Sequence, residues 1–165
     1  MHNSKIKKKI ITLIGPTACN KTSTAVHLIK KFPISIIGVD SVQIYKRFNI
    51  GSAKPPKEIL EKYKHHLVDS ADPENIFSVK DFYDQAYRIV IQAHSNNRIP
   101  LLVGGTMMYF NALFKGINNI PEGNEAIREE LQRELDNRGV DKLFNELKEI
   151  DPESAKTIKQ NDKQR

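Results

Sequence analysis

The sequence predicts an α/β protein, a parallel sheet flanked by helices, with an all-helical insertion after the fourth strand. Three observations carry this. Short apolar runs alternate with helical patterns over the first two-thirds of the 165 residues. A glycine-containing turn, Gly15 to Thr22, joins the first apolar run to the first helical pattern. The last third keeps helical spacing without a strand-like run.

The elements follow in order. Ile10 to Ile14 is the first strand, Thr22 to Lys31 the first helix, and Ile34 to Val39 the second strand, ending at Asp40. Residues 41 to 64 are polar, and Gly51, Pro55 and Pro56 mark them as irregular chain. His65 to Val68 is a short third strand. Ser78 and Asp81 have capping-box spacing ahead of a helix whose Val79, Phe82, Ala86, Ile89, Val90 and Ala93 recur at three and four. Ile99 to Val103 is the fourth strand, closed by Gly104 and Gly105 and followed by a helix from Thr106 to Phe114. Asn118, Asn119, Pro121 and Gly123 form a linker. Beyond it, Ile127, Leu131 and Leu135 line a charged helix ended by Gly139. Leu143, Phe144, Leu147 and Ile150 line a second, and Asp151-Pro152 starts a third.

Composition narrows the class. Hydrophobic content of 39% and charged content of 28% are globular values, and the single cysteine excludes a disulfide scaffold. No apolar run reaches membrane-spanning length and no signal-peptide core precedes the first strand, so a cytoplasmic protein is expected. A formal charge of +6 weakly suits a polyanionic partner; Lys5, Lys7, Lys8 and Lys9 could touch nucleic acid, but such a cluster is more often a solvated terminus.

The turn carries the chemistry. Gly15, Pro16, Thr17, Ala18, Cys19, Asn20, Lys21 and Thr22 follow the phosphate-loop pattern Gly-x-x-x-x-Gly-Lys-Thr, with Asn20 where the second glycine belongs. Between a strand and a helix, such a loop points its backbone amides into one concavity at the positive end of the helix dipole. Lys21 adds a charge for the outer phosphate, and the Thr22 hydroxyl is placed to ligate Mg²⁺. With the parallel sheet, this makes the predicted fold P-loop NTPase-like. Asn20 is the residue most tolerant of left-handed backbone after glycine, yet its side chain is expected to crowd a phosphate. Cys19 reads either as a reactive thiol near a helix start or as a small buried filler.

Two more segments follow strands at the edge where open α/β sheets bind ligands. Asp40 offers a carboxylate for a proton or a metal-bound water, while Ser41 and Gln43 offer hydrogen bonds to a base edge or sugar. A turn or helix cap is the purely structural role for Asp40. Gly104 and Gly105 permit close ligand approach, and Thr106 is a site residue, a helix N-cap, or both.

Taken in series, the motifs resemble one family, the tRNA dimethylallyltransferases. They are Gly-Pro-Thr-Ala at 15 to 18 with Lys21-Thr22, then Asp40-Ser41-x-Gln43-x-Tyr45 and Gly51-Ser52-Ala53-Lys54-Pro55. His65-His66-Leu67-Val68-Asp69, Asp72-Pro73, Phe77-Ser78-Val79, Val103-Gly104-Gly105-Thr106-Met107-Met108-Tyr109 and Asp151-Pro152 to Arg165 follow in family order. The resemblance implies transfer of a dimethylallyl group from dimethylallyl diphosphate to the exocyclic amine of the adenine 3′ to the anticodon in tRNA. It implies that the phosphate loop holds the diphosphate with Mg²⁺, that Asp40 is the general base, and that Thr106 belongs to the catalytic site. Asp40, Ser41, Val42, Gln43, Thr106, Arg128, Gln164 and Arg165 match tRNA-contacting positions. His65-His66 match a family hallmark and are not read as metal ligands. The resemblance also suggests a monomer. It divides the chain into an incomplete α/β core, 1–117, and a helical tRNA-contacting insertion, 121–165, cut off at its end.

Family members continue past the motif in which this sequence stops, so the 165-residue chain alone is expected to be inactive or barely active. Three other readings stay open: a non-functional remnant of that enzyme, an adenylate prenyltransferase acting on a free nucleotide, and a small-molecule kinase.

Overall fold

The structure, a computed structural model, describes residues 9–117 and 124–163. The linker expected at 118–123, Lys5, Lys7, Lys8, Gln164 and Arg165 lie outside the described residues. The chain divides into two compact units, Met1–Asn118 and Asn119–Arg165.

In the first unit, β1 (Ile11–Ile14), β2 (Ile34–Val39), β3 (His65–His66) and β4 (Ile99–Gly104) form one parallel sheet in the order β1-β4-β2-β3. β2 and β4 form its centre, and all six residues of β2 are buried. Their alternation splits the core between two faces. Ile34, Ile36 and Leu101 pack on one side with Ala25 of α1 (Lys21–Ile29). Ile37, Val39 and Leu102 pack on the other, against α3 (Val79–Ser95) and α4 (Met107–Lys115). On that second face the rings of Phe82 and Tyr109 stack with centroids 4.1 Å apart. This is the P-loop NTPase-like arrangement the sequence predicted.

Helix α3 begins at the expected capping box. The Ser78 hydroxyl accepts from the Asp81 amide at 3.1 Å, and the Asp81 carboxylate accepts from the Ser78 amide at 2.9 Å. The Ser78 hydroxyl, followed by its backbone amide, holds the Asp81 carboxyl below the usual aspartate range.

Two differences from the sequence reading have local causes. The third strand is only His65–His66, because Leu67 at φ 58° turns the chain out of extended conformation. The polar stretch at 41–64 contains a helix, α2 (Lys57–Lys62), whose N-cap is Pro56. Proline ahead of a helix start presets φ and needs no donor, so Pro55-Pro56 opened a helix where they read as irregular chain.

Among the described residues edge strand β1 pairs only with β4, and Ile11 and Ile14 are exposed. The second unit holds α5 (Glu125–Arg138), α6 (Val140–Ile150) and α7 (Pro152–Thr157). Asn124 caps α5 through the Ala126 amide, and Asp151 caps α7 through the Ser154 amide, with Pro152 in its first turn. Of its described residues only Ala155 is buried. Among the described residues no helix is long and apolar enough to cross a membrane.

Gly104 partners both Ile14 and Val39, and a Cβ there would lie 1.9 Å from the Val39 carbonyl oxygen. Gly104→Ala should therefore cost about 2 kcal/mol or more, because backbone must move to relieve the overlap. Chemical denaturation of the two proteins measures this; equal midpoints would show that the strands separate freely.

Candidate active site

β1, β2 and β4 end at the same level, since Gly104 is in register with Ile14 and with Val39. The residues that follow, Gly15, Asp40 and Gly105, leave the sheet side by side. The Gly15 amide donates to the Gly104 carbonyl at 3.4 Å, and the Thr106 amide to the Val39 carbonyl at 3.2 Å. Parallel pairing thus brings three motifs, far apart in sequence, to one edge.

The phosphate loop turns through two left-handed residues, Ala18 at φ 65° and Asn20 at φ 61°. Asn20 occupies the N-cap of α1 in left-handed backbone, the conformation that explains why asparagine replaces glycine there. Its side chain makes no capping hydrogen bond, so the first-turn amides of α1 keep their capacity for an anion. Lys21 Nζ folds back to the Gly15 carbonyl at 2.8 Å and to the Pro16 carbonyl, with Cys19 Sγ at 3.6 Å. Cys19 is exposed, which removes its reading as a buried filler. A Cβ on Gly15 would come within 2.6 Å of Cys19 Sγ, so a side chain there would displace the Cys19 thiol.

Asp40 follows β2 and is half-buried. Its Oδ1 accepts from the Val42 amide at 2.9 Å and the Gln43 amide at 3.1 Å. The carboxylate therefore caps the turn, as its structural role required, with both bonds on one oxygen. Thr106 stands at the N-cap of α4, but its side chain makes no capping bond. Its Oγ1 instead accepts from the Ser41 amide at 3.0 Å and lies 3.4 Å from Ser41 Oγ. This contact ties the segment after β2 to the segment after β4. Gly104 and Gly105 serve close strand and loop approach: a Cβ on Gly105 would lie 3.1 Å from the Gly15 carbonyl oxygen. Gly104 also lines the cavity that holds the phosphate loop and Asp40.

The sequence suggests that Gln43 offers both donors and an acceptor to a base edge or sugar. Its Nε2 is engaged within the chain, donating to the Ser52 carbonyl at 3.2 Å and the Ala53 carbonyl at 3.1 Å. Only its acceptor oxygen remains for a ligand.

One cavity of about 470 Å³ gathers the phosphate loop, Thr17 to Thr22, with Asp40 and Gln43. Ala53 and Ile59 also line it, two positions not expected from the sequence because they belong to a stretch that reads as irregular chain. The role of Lys54 was likewise not expected from the sequence. That side chain is 3% exposed, and its three donors reach Asp69 Oδ1 at 2.5 Å, the Tyr45 carbonyl at 2.8 Å and Asn49 Oδ1 at 3.2 Å. Around it, the Asp69 amide donates to the Gln43 carbonyl and the Ser70 and Ala71 amides to that of Ile44. A lysine within a proline- and glycine-rich stretch was the available signal. Val42 is exposed beside this loop. Arg128 lies on α5 in the second unit, on the wall of a cleft of about 720 Å³ with Leu131, Leu135, Phe144 and Leu147.

Residues 43–165 match the IPP transferase family. The chain belongs to that family. It is 44% identical over 156 residues to a tRNA dimethylallyltransferase from Dichelobacter nodosus, covering 94% of this chain and 49% of the relative. A solved tRNA isopentenylpyrophosphate transferase from Bacillus halodurans superposes with a TM-score of 0.65 at 39% identity, over 94% of this chain and 52% of that one. A eukaryotic dimethylallyltransferase acting on tRNA gives a TM-score of 0.76 at 28% identity, over 94% and 39%. The chain spans about half the length of the curated relatives it matches.

The buried lysine generates a stability prediction. Lys54→Met keeps the volume but leaves Asp69 and two carbonyl-type acceptors without their donor, and should cost about 2 kcal/mol, below the range for a fully buried pair because Asp69 is partly solvated. Urea denaturation of the variant measures the loss, and an unchanged midpoint would show that the clamp contributes nothing.

Proposed function

We propose that this chain carries the diphosphate cradle and the proton acceptor of a tRNA prenyl-transfer site. The observation that carries the reading is the shared cavity, in which the phosphate loop and Asp40 face the same space. A site that must hold a leaving diphosphate and deprotonate an incoming amine needs those two groups together.

The chemistry divides among named residues. Breaking the allylic carbon–oxygen bond of dimethylallyl diphosphate leaves negative charge on the diphosphate. Loop amides and Lys21 take up that charge. Lys21 exchanges its bonds to the Gly15 and Pro16 carbonyls for stronger, charge-assisted bonds to phosphate oxygens. The Thr22 hydroxyl, on the same wall, suits Mg²⁺, an ion that completes its shell from substrate phosphates and water. Bound there, Mg²⁺ would supply further neutralisation of the leaving group. The adenine leaves its stack, its exocyclic nitrogen bonds to the allylic carbon, and the proton it loses passes to Asp40. With Oδ1 held by two amides, Oδ2 is the oxygen left to accept it. Ser41, Val42, Gln43 through its oxygen, and Thr106 border the entering nucleotide. Arg128, Gln164 and Arg165 are assigned to the tRNA on the match of motif alone, and the same match favours a monomer in the cytoplasm. Residues 1–117 act as the core and 121–165 as the tRNA-contacting insertion.

Two outcomes test this. Calorimetry of dimethylallyl diphosphate with Mg²⁺ should give binding by the chain that is tightened about threefold by Asn20→Gly, since glycine keeps the left-handed backbone and clears the loop rim. No binding by either protein would remove the cradle. Joined to the part of the relatives' length that this chain does not span, the protein should prenylate tRNA and not AMP when given labelled prenyl diphosphate. There Asp40→Ala should keep tRNA binding and lose about a hundredfold or more in rate; full turnover without Asp40 would sink its assignment as base.

A further inference from the structure

The opposite edge of the sheet holds a second cavity, of about 250 Å³, at the N-terminal ends of the strands. Its polar wall is Ser35, Lys64, His66, Gln92, Asn96 and Arg98, and among the described residues no carboxylate lines it. Parallel pairing explains the convergence: Lys64 directly precedes β3, Arg98 directly precedes β4, and Ser35 is the second residue of β2. Gln92 and Asn96 are four apart at the end of α3 and therefore share a face.

Arg98 is held in place by neutral acceptors, with Nε donating to Ser35 Oγ at 3.0 Å and Nη2 to the Ile34 carbonyl. Among the described residues, Arg98, Lys64 and His66 make no ion pair with a carboxylate. A half-buried, oriented guanidinium beside the Lys64 ammonium and the His66 imidazole leaves N–H groups on a wall without a counter-charge. Burial, and then the charges of Lys64, Arg98 and His65, lower the basicity of His66, as expected of a pocket with positive potential and no counter-charge.

We propose that this cavity is a phosphate-binding site, built from the Lys64 ammonium, the Arg98 guanidinium and the His66 imidazole, with Gln92 and Asn96 as neutral donors. Phosphate, with several oxygens and more than one charge, can meet the remaining Arg98 N–H groups, the Lys64 ammonium and the neutral donors together. The site lies at the other end of the strands from the phosphate loop and does not depend on what that loop binds. Two sources share the chemistry, a backbone phosphate of RNA and a small phosphorylated molecule.

Nuclear magnetic resonance on the full 165-residue chain tests it, reading the His66 imidazole and Arg98 Nε signals during titration with inorganic phosphate at constant ionic strength. Both signals should shift saturably, and Lys64→Gln should weaken that response about fivefold while the response at the phosphate loop stays unchanged. Lys64 is exposed, so this variant keeps the fold; His66→Gln, checked by its thermal unfolding, provides a second weakened variant. Titration with a short single-stranded RNA separates the sources. Shifts of the same two signals, competed by phosphate, identify the RNA backbone, and shifts with phosphate alone identify a small phosphorylated molecule. Absence of a saturable shift at His66 and Arg98, or the same shift in Lys64→Gln, overturns the proposal.

Discussion

Three parallel strands that stop at one level are the constraint on which the site depends. Gly104 has Ile14 on one side and Val39 on the other, so the loops after β1, β2 and β4 leave the sheet together. The slanted ladder of a parallel sheet puts all strand C-termini on one edge, and register then decides which residues meet there. A slip of one residue in β2 would turn Asp40 to the other face and part it from the phosphate loop. Glycine at 104 fits this register, since Val39 leaves no room for a side chain.

Around that edge the chain stores local strain and offsets it nearby. Ala18 in the left-handed region costs about 1 kcal/mol, a conformation L-residues other than glycine and asparagine rarely adopt. The Lys21 bonds across the loop and the α1 helix it opens compensate. After β2, the Asp40 cap, the Ser41 to Thr106 bond and the Lys54 clamp fix a long segment with little regular structure. These bonds make the edge rigid enough to position chemistry, and they restrict which groups can serve a ligand. Gln43 shows the consequence, its donors committed to the Ser52 and Ala53 carbonyls.

Burial is uneven. β2, β4, α3 and α4 enclose Ile37, Phe82, Leu102, Tyr109 and Phe110, whereas β1 exposes Ile11 and Ile14 and the second unit buries only Ala155 among its described residues. Parallel strands are ordinarily covered on both faces, so β1 contributes less to stability than its apolar sequence suggests. The helices of the second unit instead hold their apolar side chains around an open cleft.

The sequence by itself determined the elements whose signals are local. Short apolar runs marked the strands, Ser78 with Asp81 marked the start of α3, and the spacing of glycine, lysine and threonine marked the phosphate loop. These depend on backbone periodicity and on hydrogen bonds within a few residues, which composition and spacing encode directly. Series of motifs in order were enough to indicate the family. The tertiary structure alone decided what depends on contacts across the sheet. Gly104 and Gly105 serve backbone approach, Thr106 bonds to Ser41 and caps nothing, Lys54 is buried against Asp69, and Lys64, His66 and Arg98 converge at the far edge. None of these could be read from spacing. Each pairs residues on different strands or loops, and only the register of parallel strands fixes which of them meet.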